Sequence, residues 1–205
     1  GLTHTNFTGA GQQWLNLDAG LGYLGFNNDT AQSLDSTTAN TQGAFQKLNL
    51  SAGWQQTFDR SQWSVNWQSQ WSNRNLDNSQ KMSVGGAHSV RAYAPGALSA
   101  DNGHLLSTEF KHPLSPAERL LNPWGQWFAG GFVDVAWLTL YRHPYSSDNN
   151  QARLSGCGVF LSWQGPRDWQ GKISFSKAFG STPSQLSGSN DEHPAAWLEL
   201  SKAFH

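Results

Sequence analysis

The chain has 205 residues, enough for one domain or at most two with a sizeable core. Only 13% of them are charged, against roughly 25% in an ordinary soluble domain, whereas 13% are aromatic, with 11 Trp. Thirteen Lys and Arg against 14 Asp and Glu give a net charge of −1, which supplies no basic field for nucleic acid. The missing charge is replaced by Ser, Thr, Asn and Gln, about a third of the chain. The one cysteine, Cys157, permits neither an internal disulfide framework nor a cysteine-based zinc site. No apolar run approaches the ~20 residues of a membrane helix.

In chain order the dominant signal is alternation of apolar and polar residues at period two. Residues 2–9, 14–23 and 44–55 read as strands. Ser61–Ser72 is the clearest: Trp63, Val65, Trp67 and Trp71 alternate with Gln62, Ser64, Asn66, Gln68 and Gln70. Strands are also expected at 80–86, 104–111, 124–140 and 154–163, and at the alternating segments around Ile173 and Leu198, about ten in all. Turn-rich stretches at 27–42, 87–103, 143–151 and 180–193 separate them. Residues 115–121, opening Ser-Pro-Ala-Glu, read as a short capped helical turn.

Alternation alone fits a soluble sandwich or a membrane barrel, since both bury every second residue. Geometry and chemistry favour the barrel. On one face of the 124–140 strand, Trp127 and Trp137 lie ten residues apart. At a tilt of about 40° that separation projects to roughly 25 Å, the height of the outward apolar band of an outer-membrane barrel. The opposite faces are polar but nearly uncharged, which suits a water-filled lumen better than a soluble exterior.

Candidates for chemistry are weak. The seven His show no compact ligand spacing, and Glu109 points away from His104 and His112 on their shared strand. Cys157, between Gly156 and Gly158, reads as a small buried apolar side chain. No nucleophile elbow or phosphate loop is present. No enzyme activity, cofactor or metal is expected.

The informative segments are Gly85-Gly86-Ala87-His88-Ser89-Val90-Arg91-Ala92-Tyr93 and Phe132-Val133-Asp134-Val135-Ala136. They resemble two signatures of the Omp85 superfamily, and most closely of the TpsB transporters of two-partner secretion, the haemolysin-activator-like proteins. The first, G-G-x-x-x-V-R-G-[YF], lies on an extracellular loop folded into the lumen. The second, F-x-D-x-G, lies on a later strand whose Asp pairs with the loop Arg. Both departures are glycine to alanine, at Ala92 and Ala136, and a Cβ at each place is expected to loosen the docking of the loop. A final strand carrying Leu198, Leu200 and Phe204 resembles the signal read by barrel-assembly machinery.

The resemblance implies an all-β, antiparallel transmembrane barrel in the bacterial outer membrane, residues 1–205 being about ten C-terminal strands of a 16-stranded Omp85-type barrel. The POTRA domains and first strands of the family are not in this sequence. It implies a translocation pore (type V secretion) that passes a large unfolded TpsA-like exoprotein, with the loop carrying Val90, Arg91, Ala92 and Tyr93 latched to Asp134 beside Phe132 and Ala136. Outer-membrane lipids and the assembly machinery are the other partners implied, and nucleic acid is not one. Such a latch fits the physics: a carboxylate at membrane depth is costly unless paired or wet, and arginine offers a planar fork for it. Counting strands back from the Arg91 loop places 27–42 at the opposite end of the barrel, where turns are normally short. The rivals are an Omp85-type assembly factor, a plain diffusion porin, and a soluble carbohydrate-binding sandwich stacking sugars on Trp63, Trp67 and Trp71.

Overall fold

The computed structural model describes residues 1–114, 125–186 and 194–203. The helical turn expected at 115–121, the start of the 124–140 strand, and Phe204 lie outside them. Along the chain come β1 (Leu2–Thr8), β2 (Gly11–Leu24), α1 (Asp29–Thr37), β3 (Gly43–Phe58), β4 (Ser61–Ser72), β5 (Met82–Val84) and β6 (Leu98–Ala100). They are followed by β7 (Asn102–Pro113), β8 (Gln126–Thr139), β9 (Gln151–Gln164), β10 (Trp169–Ala178) and β11 (Ala195–Lys202). Nine strands form one antiparallel meander in the order β1-β2-β3-β4-β7-β8-β9-β10-β11, and β5 pairs only with β6. Among the described residues the large sheet is a single meander and not two sheets packed as a sandwich, so the carbohydrate-binding alternative loses its scaffold.

The strand expected at 80–86 is therefore a correction. Met82–Val84 alternates locally, but its partner is Leu98–Ala100, within the connection from β4 to β7. Removing it from the sheet changes the parity of the strand count. The segment 25–42 then lies at the same end of the sheet as the Arg91 loop, together with 140–150. Within it, Asp29–Thr37 is helical, started by Asn28, whose side chain accepts from the Thr30 and Ala31 amides. The opposite end carries the tight β1–β2, β3–β4 and β9–β10 connections.

Register sorts the residues as period two requires. Trp63 stands opposite Phe110, Trp67 opposite Leu106, Val133 opposite Thr108 and Cys157, and Ile173 opposite Leu161 and Leu198. This outward face is exposed and apolar, and Trp63, Trp71, Trp127, Trp137 and Trp169 lie along its two ends. Cys157 belongs to it and is exposed, correcting the reading that buried it: the two flanking glycines, not the cysteine, face inward. The inward face bears Asn16, Asn49, Ser51, Asn66 and Gln68 on β2 to β4, and Ser107, Glu109, Asp134 and Ser174 on β7 to β10. The hydrophobic core is the space between that face and the loop: Val84, Val90, Tyr93 and Leu98 pack against Leu105, Ala136, Leu138 and Leu154.

Candidate functional site

The loop between β4 and β7 is carried over the inward face by its own turn chemistry. Gly85 and Gly86 adopt φ of +110° and +96°, conformations that side chains disfavour, and the Gly86 amide donates to the Tyr93 carbonyl at 2.9 Å. Residues 86–93 thus form a closed excursion with Arg91 near its tip. At its base the loop is stapled to its neighbours. Lys81 pairs with Asp101 at 3.3 Å and donates to the Leu140 carbonyl at 2.9 Å. The Asp101 carboxylate also accepts from the amides of Leu76 at 3.0 Å and Arg142 at 2.7 Å. Asn75 bonds to the Ala39 and His143 carbonyls, joining three of the long connections at this end, 25–42, 73–101 and 140–150.

Arg91 is 6% exposed and Asp134 0%. The guanidinium meets the carboxylate as a fork, Nε donating to Oδ2 at 2.8 Å and Nη2 to Oδ1 at 2.8 Å. The Arg91 amide donates to Oδ2 at 3.2 Å and the Ser107 hydroxyl to Oδ1 at 2.6 Å, so each carboxylate oxygen accepts two bonds. Nη1 reaches Glu109 at 2.8 Å, and Glu109 is held in turn by Lys172 from β10, at 2.9 and 3.1 Å. Two cations and two carboxylates make this cluster neutral. Breaking one partner of such a buried set strands a charge, whereas the intact set gains little net stability, because desolvation offsets its attraction. Its value lies in fixing where the loop sits.

The surroundings serve the same geometry. The Arg91 guanidinium carbon lies 3.4 Å from the centre of the Phe132 ring. That ring lies flat because Gly158, its register partner on β9, has no side chain: a Cβ there would come within 2.6 Å of the ring. The Arg91 carbonyl accepts from the Ser176 hydroxyl and the Trp197 indole, both at 2.7 Å. Arg91 is thereby held through its amide, carbonyl and side chain by β7, β8, β10 and β11.

Both alanines are accommodated where the loop meets the sheet. Asp134 stands opposite Gly156 on β9, and a Cβ at 156 would lie 2.6 Å from the Ala92 Cβ. A glycine in the strand makes room for the methyl group in the loop. Ala136 is fully buried within the core cluster that includes Val90 and Tyr93. Of the residues singled out from sequence, Val90, Arg91, Ala92, Tyr93, Phe132, Asp134 and Ala136 are thus brought together. Leu198 and Leu200 are separate from them, 81% and 66% exposed on the outward face of β11. Sequence reasoning missed Ser107, Glu109, Lys172, Ser176 and Trp197. Strand parity gives the inward direction of each, but only register shows which of them meet Arg91.

Residues 1–157 match the model of a family described as haemolysin secretion/activation protein ShlB/FhaC/HecB. The heme/hemopexin transporter protein HuxB of Haemophilus influenzae strain 86-028NP is 30% identical over 138 residues, covering 66% of this chain and 23% of that protein. HuxB of strain ATCC 51907 is 28% identical over the same length. The chain therefore spans about a quarter of the length of these curated relatives. Among solved structures, CdiB from Escherichia coli superimposes with a TM-score of 0.74 at 24% identity, covering 97% of this chain and 34% of that one. CdiB from Acinetobacter baumannii does so with a TM-score of 0.63 at 17% identity, covering 97% and 31%. With a sequence match over most of its length and the barrel sheet of these transporters, the chain belongs to the haemolysin secretion/activation family of TpsB proteins.

Proposed function

We propose that residues 1–205 are the C-terminal part of an outer-membrane barrel that moves a secreted partner protein to the cell surface. The end bearing the connections 25–42, 73–101 and 140–150 faces the exterior, as long loops do in such barrels. The outward face meets lipid, and β1 and β11 pair with the remaining strands, because an unpaired edge in hydrocarbon is costly. Leu198 and Leu200 on β11, with Phe204 following in the sequence, are the signal that the assembly machinery reads. The inward amides of Asn66 and Gln68 offer a passing unfolded chain transient hydrogen bonds without strong charge traps. This work needs no covalent chemistry.

The observation that carries the reading is the set of bonds from Arg91 to Asp134 beneath the loop. In this reading they are a latch that defines the loop's position inside the pore. The test is Arg91→Ala in the full-length transporter, with secretion of its cognate partner and heat-modifiable migration on gels measured together. A barrel that inserts and stays heat-modifiable but secretes poorly is the expected result. Secretion at the wild-type level would remove the latch from the mechanism.

A further inference from the structure

Strand parity confines the carboxylates of the large sheet to one face, although Lys47, Lys111 and Lys172 share that face with them. Its carboxylates, Asp18, Glu109, Asp134 and Glu199, all face inward. Its outward charges, Arg153, Lys177 and Lys202, are all cations. Arg153 occupies a particular rung: His104 on β7, Trp137 on β8 and Arg153 on β9 stand directly opposite one another at the long-loop end. The Arg153 guanidinium lies 5.6 Å from the centre of the Trp137 ring, and among the described residues no carboxylate pairs with it. Trp137 continues into an aromatic row through Trp67 at 6.3 Å to His104 at 5.6 Å and Trp71 at 5.5 Å from His104. The Trp67 indole donates to the Ser69 hydroxyl at 2.6 Å, and Ser69 meets His104 Nδ1 at 2.8 Å. A cleft of about 410 Å³ opens at this rung, with His104, Trp137 and Arg153 in its lining.

We propose that this rung is a binding site for the phosphate head group of an anionic membrane lipid in the leaflet at the long-loop end. The proposal rests on the reading above that the outward face meets lipid. A guanidinium fork matches phosphate geometry, and an indole beneath it holds the cation at the boundary between hydrocarbon and water. The absence of outward carboxylates in the described strands removes the repulsion that would oppose such a head group. Lys177, which stands opposite Cys157, four residues along β9 from Arg153, and has no aromatic ring against it among the described residues, is the natural control.

The experiment titrates the full-length transporter in detergent with bis-phosphorylated lipid A or with phosphatidylcholine and reads retained lipid by native mass spectrometry. Arg153→Gln is expected to weaken lipid A binding about tenfold, Arg153→Lys less, and Lys177→Gln by no more than about twofold. Phosphatidylcholine retention should not change, and millimolar inorganic phosphate should not compete. Unchanged lipid A affinity in an Arg153→Gln protein that keeps its heat-modifiable migration would overturn the site and leave the barrel standing. Effective competition by inorganic phosphate would overturn it as well, marking a small-anion site. A wild-type protein that never shows heat-modifiable migration would count against the lipid-facing reading itself.

Discussion

The inward faces of β2 to β4 and of β7 to β10 obey the same alternation but hold different chemistry. Apart from the exposed Asp18 and the half-buried Lys47 toward its long-loop end, the first carries uncharged residues, Asn16, Ser51, Asn66 and Gln68, and Asn16 bonds to Ser51 across the strands at 3.3 Å. The second carries Asp134, Glu109 and Lys172, each engaged with another of the set or with Arg91. Uncharged amides can stay wet or pair at little cost, so the first region needs no cover. Buried charges need partners at fixed distances, and here the loop supplies one of them. The same sheet thus provides a permissive wall and a specific dock, and the difference comes from which strands the loop reaches.

The largest effect that would break this contrast is Asp134→Ala. It leaves the Arg91 guanidinium buried against Glu109 alone, and removing one partner of a buried pair costs about 3–5 kcal/mol. Hydrogen exchange of residues 84–93 in the inserted protein should show that loss locally, while exchange of β2 and β3 stays as in wild type. Next is Gly156→Ala, whose new Cβ meets Ala92 at 2.6 Å. Overpacking of this kind costs about 1–3 kcal/mol. Adding Ala92→Gly should restore the loop's protection, and failure of that rescue would show that the two residues do not share the space assigned to them.

A third test concerns the 25–42 connection, which lies beyond the strands at the long-loop end of the sheet. Burial pushes the Asp35 carboxyl up, but the Thr41 amide and hydroxyl, the Gln42 amide and Arg74 together hold it below its ordinary value. A carboxyl depressed in the folded state contributes stability above its unfolded pKa of about 3.9 and loses it as pH falls through the lower folded value. Exchange protection at 38–42 should therefore be steady above about pH 5 and fall in acid, and Asp35→Asn should remove that dependence. The smallest effect belongs to the permissive wall: Gln68→Ala, at an exposed inward position, should change stability by no more than about 0.5 kcal/mol in urea unfolding. A loss near that of Asp134→Ala would erase the contrast.

Much of this was legible in the residues. Period two gave the two faces, and the limits of β4 agree with the Ser61–Ser72 alternation because its tryptophans and amides differ so sharply in polarity. Residues 80–86 misled because three alternating residues look alike in a barrel strand and in a hairpin; only the partner, Leu98–Ala100, distinguishes them. Helix α1 escaped notice because Asp-Thr-Ala-Gln-Ser-Leu-Asp-Ser-Thr has no apolar stripe, and its start depends on the Asn28 cap. Arg91 and Asp134 could be paired through motifs, whereas Glu109 and Lys172 could not. They lie 63 residues apart in the chain, and which of the inward side chains meet is set by register.

The most direct test of the central claim is a double-mutant cycle on secretion by the full-length transporter, using Arg91→Ala, Asp134→Ala and both together, with the amount of inserted barrel held equal. If the two residues act as one latch, each single variant lowers secretion and the double variant is no worse than the more severe single one. Independent, multiplying losses in the double variant, or wild-type secretion by either single variant, would contradict the account.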